Sequence, residues 1–80
     1  MNRVWESTRY TSEVRRNDRE GWTSLDVHVH AGDEGVGPLA FRIVFWDAVG
    51  RFFVEPLVGE IPLAILEEAA AEARRAIPVK

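Results

Sequence analysis

The sequence predicts an α+β fold: a four-stranded antiparallel sheet, or β-meander, followed by one C-terminal helix packed on one face, in the order β-β-β-β-α. Apolar and polar residues alternate with a period of two in several stretches before residue 58, a pattern typical of strands. After Pro62 the apolar residues recur at spacings of three and four, which is typical of a helix. Short polar or glycine-containing connections separate the stretches, so we expect neighbouring strands to be antiparallel.

The length and composition fit one small folded domain covering residues 1–80. Hydrophobic residues make up 46% of the chain and charged residues 29%, which are ordinary values for a globular protein. The absence of cysteine excludes disulfides and thiolate zinc sites. A net charge of −3 gives no overall attraction to nucleic acid or anionic membrane. The N-terminus lacks a signal-peptide core and no apolar run approaches the ~20 residues that span a bilayer, so we expect a soluble, cytoplasmic protein.

The first predicted strand covers residues 3–14 and the second covers residues 22–30. In the first strand the residues expected to face inward are Val4, Thr8, Tyr10 and Val14, with Trp5 facing outward. The polar run 15–21 suits an exposed turn. The second strand alternates cleanly, which assigns its residues to opposite sides. One side carries Thr23, Leu25, Val27 and Val29, and the other carries Trp22, Ser24, Asp26, His28 and His30.

Residues 39–46 and 51–58 form the last two predicted strands, joined by the loop 47–50. The loop starts with Asp and ends with Gly, which suits a turn with positive φ at its last position. A four-residue loop pairs Trp46 with Arg51, Phe45 with Phe52, Val44 with Phe53, Ile43 with Val54 and Arg42 with Glu55. Because proline has no N–H to donate, we expect the last strand to end at Pro56 or to lie at an edge.

A single helix is predicted from Pro62, a residue well suited to a first helical position. Arg74 and Arg75 near its end complement the helix dipole, and Pro78 ends it. The apolar stripe expected to face the sheet is Leu63, Leu66, Ala70, Ala73 and Ile77, widened by Ile65 and Ala69.

One helix can cover only one face of the sheet, whereas the sequence places large apolar residues on both. Exposed apolar patches of several hundred Å² usually mark association surfaces. We therefore predict a non-catalytic interaction or regulatory module that forms a homo-oligomer or docks on a protein partner. Trp46, flattened against Arg51, is the expected anchor. The predicted contact residues are Trp22, His28, His30, Arg42, Trp46, Arg51 and Phe53.

An alternative is a nucleic-acid-binding domain. Basic residues crowd the first quarter of the chain, and tryptophans on the sheet face are able to stack on bases. The acidic total opposes this interpretation, because a nucleic-acid-binding surface is usually strongly basic. The arginines that would carry such binding are Arg9, Arg15, Arg16 and Arg19.

A weaker alternative is a metal site at His28 and His30. The stretch Leu25-Asp-Val-His-Val-His-Ala-Gly32 resembles the first metal-binding strand of amidohydrolase enzymes. The resemblance implies a (β/α)₈ barrel of about 250 residues with further ligands on later strands, whereas this chain has 80 residues and only two histidines. A site here would need Asp26, Glu55 or a second copy to complete it, and we predict no bound metal or cofactor.

No part of the sequence predicts catalysis. The glycine-rich stretch 32–37 precedes a strand rather than a helix, and the carboxylates of Asp33 and Glu34 would repel phosphate. No serine or threonine lies in a nucleophile-elbow context. The paired carboxylates of Glu67 and Glu68 are expected on a solvated helix face. We therefore predict that the protein is not an enzyme.

Overall fold

A computed structural model describes residues 1–31 and 37–78 of the chain. It contains a five-stranded antiparallel sheet with the strands in sequence order, and one C-terminal helix. The α+β class and the antiparallel meander are thus confirmed, and the predicted count of four strands is wrong. Most of the glycine-rich connection lies outside the described residues. The elements are β1 (Asn2–Trp5), β2 (Thr8–Asn17), β3 (Trp22–Ala31), β4 (Leu39–Trp46), β5 (Arg51–Pro56) and α1 (Leu63–Ala76).

The extra strand arises at the N-terminus, where residues 3–14 form a hairpin instead of one strand. Glu6 and Ser7 both have positive φ, 46° and 71°, and Trp5 pairs with Thr8 across them. A two-residue hairpin turn of this kind normally uses Asn or Gly, so Glu6 and Ser7 did not predict it. Opposite residues share a face, so Trp5 lies on the same side of the sheet as Thr8 and packs against the core. Val4 lies on the other side and is 65% exposed, the reverse of the prediction for both residues.

The next turn is shorter than the polar run 15–21 had indicated. β2 continues to Asn17, which pairs with Trp22 of β3, and the amide of Gly21 donates to the carbonyl of Asn17 over 2.9 Å. Gly21 has a φ of 77°, a conformation that favours glycine. Arg15 and Arg16 are therefore strand residues, and their side chains point to opposite faces of the sheet.

The β4–β5 hairpin has the predicted register. Trp46 pairs with Arg51 and the pairing continues through Arg42 and Glu55. Phe45 and Phe52 pack with their ring centroids 5.0 Å apart on the side that faces α1. The strand ends at Pro56, at the edge of the sheet, as the missing proline N–H predicts.

Helix α1 packs on one face of the sheet, against β2, β3 and β4. Its buried residues recur every four positions. The predicted stripe is wrong at the N-terminal end of the helix, because Leu63 is 68% exposed and the buried row begins at Ile65. Small alanines in this row let the helix approach the bulky sheet residues closely. The helix contributes Ile65, Ala69 and Ala73, Ile77 follows it, and the sheet contributes Tyr10, Leu25, Val27, Phe41, Ile43 and Phe45.

Polar contacts fasten the N-terminal hairpin to the helix. The Met1 ammonium lies 2.8 Å from a carboxylate oxygen of Glu72, and Ser12 donates to the other oxygen over 2.7 Å. Arg3 pairs with Glu68 one turn away. Burial raises the pKa of the Glu72 carboxyl, but hydrogen bonds from Met1 and Ser12, and the nearby positive charges, outweigh it and hold the pKa below its ordinary value.

Candidate interaction surface

The face of the sheet turned away from α1 is called here the open face. Opposite residues in an antiparallel sheet point to the same side, so the register defines rows of side chains that cross four strands. The row nearest the β4–β5 loop is Asn17, Trp22, Trp46 and Arg51. The second row is Arg15, Ser24, Val44 and Phe53. The third row is Glu13, Asp26, Arg42 and Glu55.

The first two rows form an aromatic end of the open face. Trp46 is 38% exposed and Phe53 is 48% exposed, which is unusual for side chains of this size because water contact with them is unfavourable. Val44 lies between them and is buried. A shallow groove of about 220 Å³ runs beside these residues, lined by Glu20, Trp22, Arg42, Val44, Trp46 and Glu55.

A buried polar network supports the aromatic end. Asp26 is 1% exposed, and its Oδ1 accepts from the hydroxyl of Ser24 over 2.7 Å. Arg42 donates to both carboxylate oxygens, with Nε 3.1 Å from Oδ1 and Nη2 3.2 Å from Oδ2. A buried carboxylate is tolerated only when it is paired and hydrogen-bonded in this way. The network therefore fixes the position of Arg42 on the open face.

Arg42 also lies over a tryptophan. Its guanidinium carbon is 5.7 Å from the ring centroid of Trp22, a favourable cation–π distance. The sequence predicted that Arg51 stacks on Trp46. Arg51 does pair with Trp46 across the strands. Among the described residues, however, the arginine that lies over an indole on this face is Arg42, over Trp22. The indole N–H of Trp22 is held by Glu20 over 3.1 Å. Trp22 is thus oriented at both ends.

The two histidines secure the start of β4. The amide of Gly37 donates to Nδ1 of His30 over 3.2 Å, and its carbonyl accepts from Nδ1 of His28 over 3.1 Å. With Nδ1 as acceptor, the hydrogen of neutral His30 is on Nε2, which lies 2.7 Å from the hydroxyl of Thr11. His30 is only 4% exposed, so it offers little surface to a partner, and its burial does not support the prediction that it lies at the rim of a contact surface.

The same contacts remove support from the metal alternative. Both ring nitrogens of His30 have protein partners, so a metal would have to displace one of them. His28 keeps Nε2 3.6 Å from a carboxylate oxygen of Glu13, which provides an ion pair when the imidazole is protonated. Residues 1–31 and 37–78 bring no three potential metal-binding side chains together.

The arginines of the nucleic-acid alternative do not share one surface. Arg9 pairs with His30 and Arg15 with Ser24, which places both on the open face, where both are exposed. Arg16 lies on the opposite face and pairs with Asp18 over 2.7 Å, and Arg19 lies in the turn between β2 and β3. The register thus leaves two of the four on the same face as Trp22 and Trp46.

A second hollow, of about 460 Å³, lies on the helix side. It opens between the N-terminal hairpin and the start of α1, beside the cation–π pair of Arg3 and Trp5, whose separation is 6.0 Å. Because the hollow depends on the Glu6–Ser7 turn, the sequence did not predict it. Its lining residues are Trp5, Glu6, Thr8, Tyr10, Glu60, Ile61 and Pro62.

No protein-family model, curated protein or solved structure matches this chain. Within the described ranges, no helix has the length and apolar character needed to cross a membrane. The open face is the candidate interaction surface. Its main features are two exposed aromatic side chains, Trp46 and Phe53, beside a fixed arginine.

Proposed function

We propose that the protein is a small non-catalytic interaction or regulatory module that self-associates or docks on a protein partner through the aromatic end of the open face. The observation that supports this most directly is the exposure of Trp46 and Phe53 on a face that α1 does not cover. An exposed aromatic pair costs solvation free energy in the monomer, and that cost is recovered when a partner removes the pair from water. The absence of enzymatic activity and the cytoplasmic location stay predictions from the sequence.

The rigidity of the surface supports the same proposal. Arg42 is held by Asp26 from below and lies over Trp22, so neither side chain must be ordered when a partner binds. Such pre-organisation lowers the entropic cost of association. Tryptophan and arginine are also the residue types that most often dominate binding energy at interfaces. The contact set is Trp22, His28, Arg42, Trp46, Arg51 and Phe53, without His30.

The test is sedimentation of the wild type and of Trp46→Ala over a wide concentration range, with recovery of any bound partner. Removal of the anchor should weaken association about 30-fold, which corresponds to about 2 kcal/mol. Leu63→Ala is the matched control, because Leu63 is 68% exposed but lies on α1, away from the open face. A wild type that is monomeric at every concentration and recovers no partner contradicts the proposal.

Nucleic-acid binding is the alternative function, and it needs a test of its own. Arg9 and Arg15 lie on the open face with Trp22 and Trp46, which is the arrangement that this alternative needs. The third row opposes it, because Glu13 and Glu55 add exposed negative charge to the same face. A strongly salt-dependent mobility shift of short DNA or RNA, lost in the Arg9→Ala and Arg15→Ala double variant, would favour this alternative.

A further inference from the structure

Strand β5 is an edge strand with apolar side chains exposed on both of its sides. Phe53 on the open face and Val54 on the helix face are 48% and 49% exposed. Helix α1 packs mainly against β2, β3 and β4, and Val54 is left half-exposed. An exposed apolar edge is a template for pairing with another strand. The opposite edge, β1, is shorter and is fastened to the helix by the contacts of Met1 and Arg3.

The hydrogen bonding of β5 shows which backbone groups point away from the sheet. The amide of Leu57 donates to the carbonyl of Ala40 over 2.9 Å, and the β4–β5 register is unbroken from Arg51 to Pro56. Residues of an antiparallel strand bond alternately to one neighbour and the other. The odd-numbered residues of β5 therefore bond to β4, and the N–H and C=O groups of Phe52 and Val54 point outward.

We infer that two copies of this protein pair through their β5 edges in an antiparallel, two-fold symmetric arrangement with Phe53 opposite its own equivalent. A two-fold axis perpendicular to the sheet keeps each side chain on its own face. This register places Phe52 opposite Val54 of the other copy, so the outward-pointing N–H and C=O groups of these two residues bond to one another. It also places Arg51 opposite Glu55, twice, because the axis repeats the pair.

The charge pattern of β5 selects this register over its neighbours. If Phe52 lay on the axis, Arg51 would face Phe53; if Val54 lay on the axis, Glu55 would face Phe53. Neither alternative pairs the charges, and a buried or half-buried charge without a partner is unfavourable. The ladder has about four hydrogen bonds between the copies. It stops at Pro56, which lacks an N–H, opposite Gly50, whose amide already donates to Trp46 over 2.8 Å.

The pairing would join the two open faces into one surface, with the two Phe53 rings at its centre and a Trp46 on each side. The inference rests on the proposed function in that it uses part of the same aromatic end, but it concerns the strand edge. A partner can dock on the face of a monomer, so one proposal can fail while the other stands.

Charge reversal at the β5 edge tests the inference directly. Arg51→Glu and Glu55→Arg should each lose dimer formation in sedimentation equilibrium, because each places like charges opposite one another twice. An equimolar mixture of the two variants should form a heterodimer as tight as the wild-type dimer, and the Arg51→Glu/Glu55→Arg double variant should regain self-association. Circular dichroism and denaturant unfolding establish that each variant is folded.

A second variant addresses the backbone. Val54→Pro removes an outward N–H that the monomer does not use, so it should remove dimer formation while the monomer stays folded. Arg19→Glu is the matched control for charge reversal away from β5, because Arg19 is exposed in the β2–β3 turn, and it should leave self-association unchanged. A monomeric wild type, or single variants that dimerise as the wild type does, would overturn the inference. Self-association that survives every β5 variant but is lost in Trp46→Ala would overturn the inference of β5 pairing and support association through the open face alone.

Discussion

Arg42 donates two hydrogen bonds, 3.1 and 3.2 Å long, to the buried carboxylate of Asp26, which lies opposite it on the adjacent strand of the sheet. Arg42 of this pair lines the groove of the open face. Arg42 is one-quarter exposed, whereas Asp26 is almost completely buried. The buried carboxylate therefore holds the partly exposed guanidinium of Arg42 in place on the open face. Ser24 completes the network by donating to the same carboxylate.

Removal of Arg42 should therefore destabilise the protein. Arg42→Ala leaves the Asp26 carboxylate buried with one remaining donor, and an uncompensated buried charge costs about 3 kcal/mol or more. Urea unfolding at neutral pH measures the change. Arg15→Ala, on the same face and exposed, is the matched control and should change the free energy of unfolding by less than about 0.5 kcal/mol. Equal effects of the two substitutions would show that the Asp26 pair has no special importance.

The stability of the hairpin–helix junction should depend on acid pH through Glu72. Its carboxyl pKa lies below the ordinary value of 4.5 in the folded protein. A lowered pKa means that the unfolded chain binds the proton more tightly, so the stabilisation is complete above the ordinary value. It is lost as the pH falls through the lower pKa of the folded state.

The pH dependence can be measured by comparing the wild type with Glu72→Gln. The difference in unfolding free energy should be constant above about pH 5.5 and should shrink below about pH 4.5. Glu67→Gln is the control, because Glu67 is an exposed carboxylate on the same helix. A difference that stays constant down to pH 2 would contradict the assignment of this shift to Glu72.

The N-terminal hairpin turn should be improved by glycine. Ser7 has a φ of 71°, where a side chain beyond Cα is strained. Ser7→Gly should raise the free energy of unfolding by about 0.5 kcal/mol, because the relief of strain exceeds the entropy that glycine loses on folding. Ser7→Ala keeps the Cβ atom and should bring no gain. Thermal unfolding distinguishes the two, and equal melting temperatures would argue against strain at this position.

The histidines should act as structural residues and not as zinc ligands. His30→Ala removes the acceptor for the Gly37 amide and the partner of Thr11, which should cost about 1–3 kcal/mol because buried polar groups lose their partners. Added Zn²⁺ should leave the melting temperature of the wild type unchanged. A rise that grows with zinc concentration and disappears in His28→Ala would restore the metal alternative.

Much of the fold could be predicted from the sequence because the signals are local. The period-two alternation of β3 assigned the faces of Leu25 and Asp26 correctly, and the four-residue loop 47–50 fixed the β4–β5 register. The Glu6–Ser7 turn could not be predicted, because neither residue favours positive φ and only the pairing of β1 with β2 holds them there. That single turn decides which side Trp5 and Val4 occupy.

The candidate surface was likewise predictable only in part. Alternation along β3, β4 and β5 was enough to place Trp22, Trp46 and Phe53 on one face. The partner of Arg42 was not predictable, because the connection between β3 and β4 is too long to set a register, and the sequence suggested only Glu55. His30 likewise reads as a surface residue by alternation, and is buried because Gly37 returns over it.

By itself, the sequence determined the periodicities, the turn at 47–50 and the surplus of apolar sheet surface, since these depend on neighbouring residues and on hydrophobic patterning. The tertiary structure alone decided the fifth strand, the burial of Asp26 beneath Arg42, and the identity of the row that the helix buries. Each of these depends on contacts between residues far apart in the chain, whose free energy outweighs the local preference of any one residue.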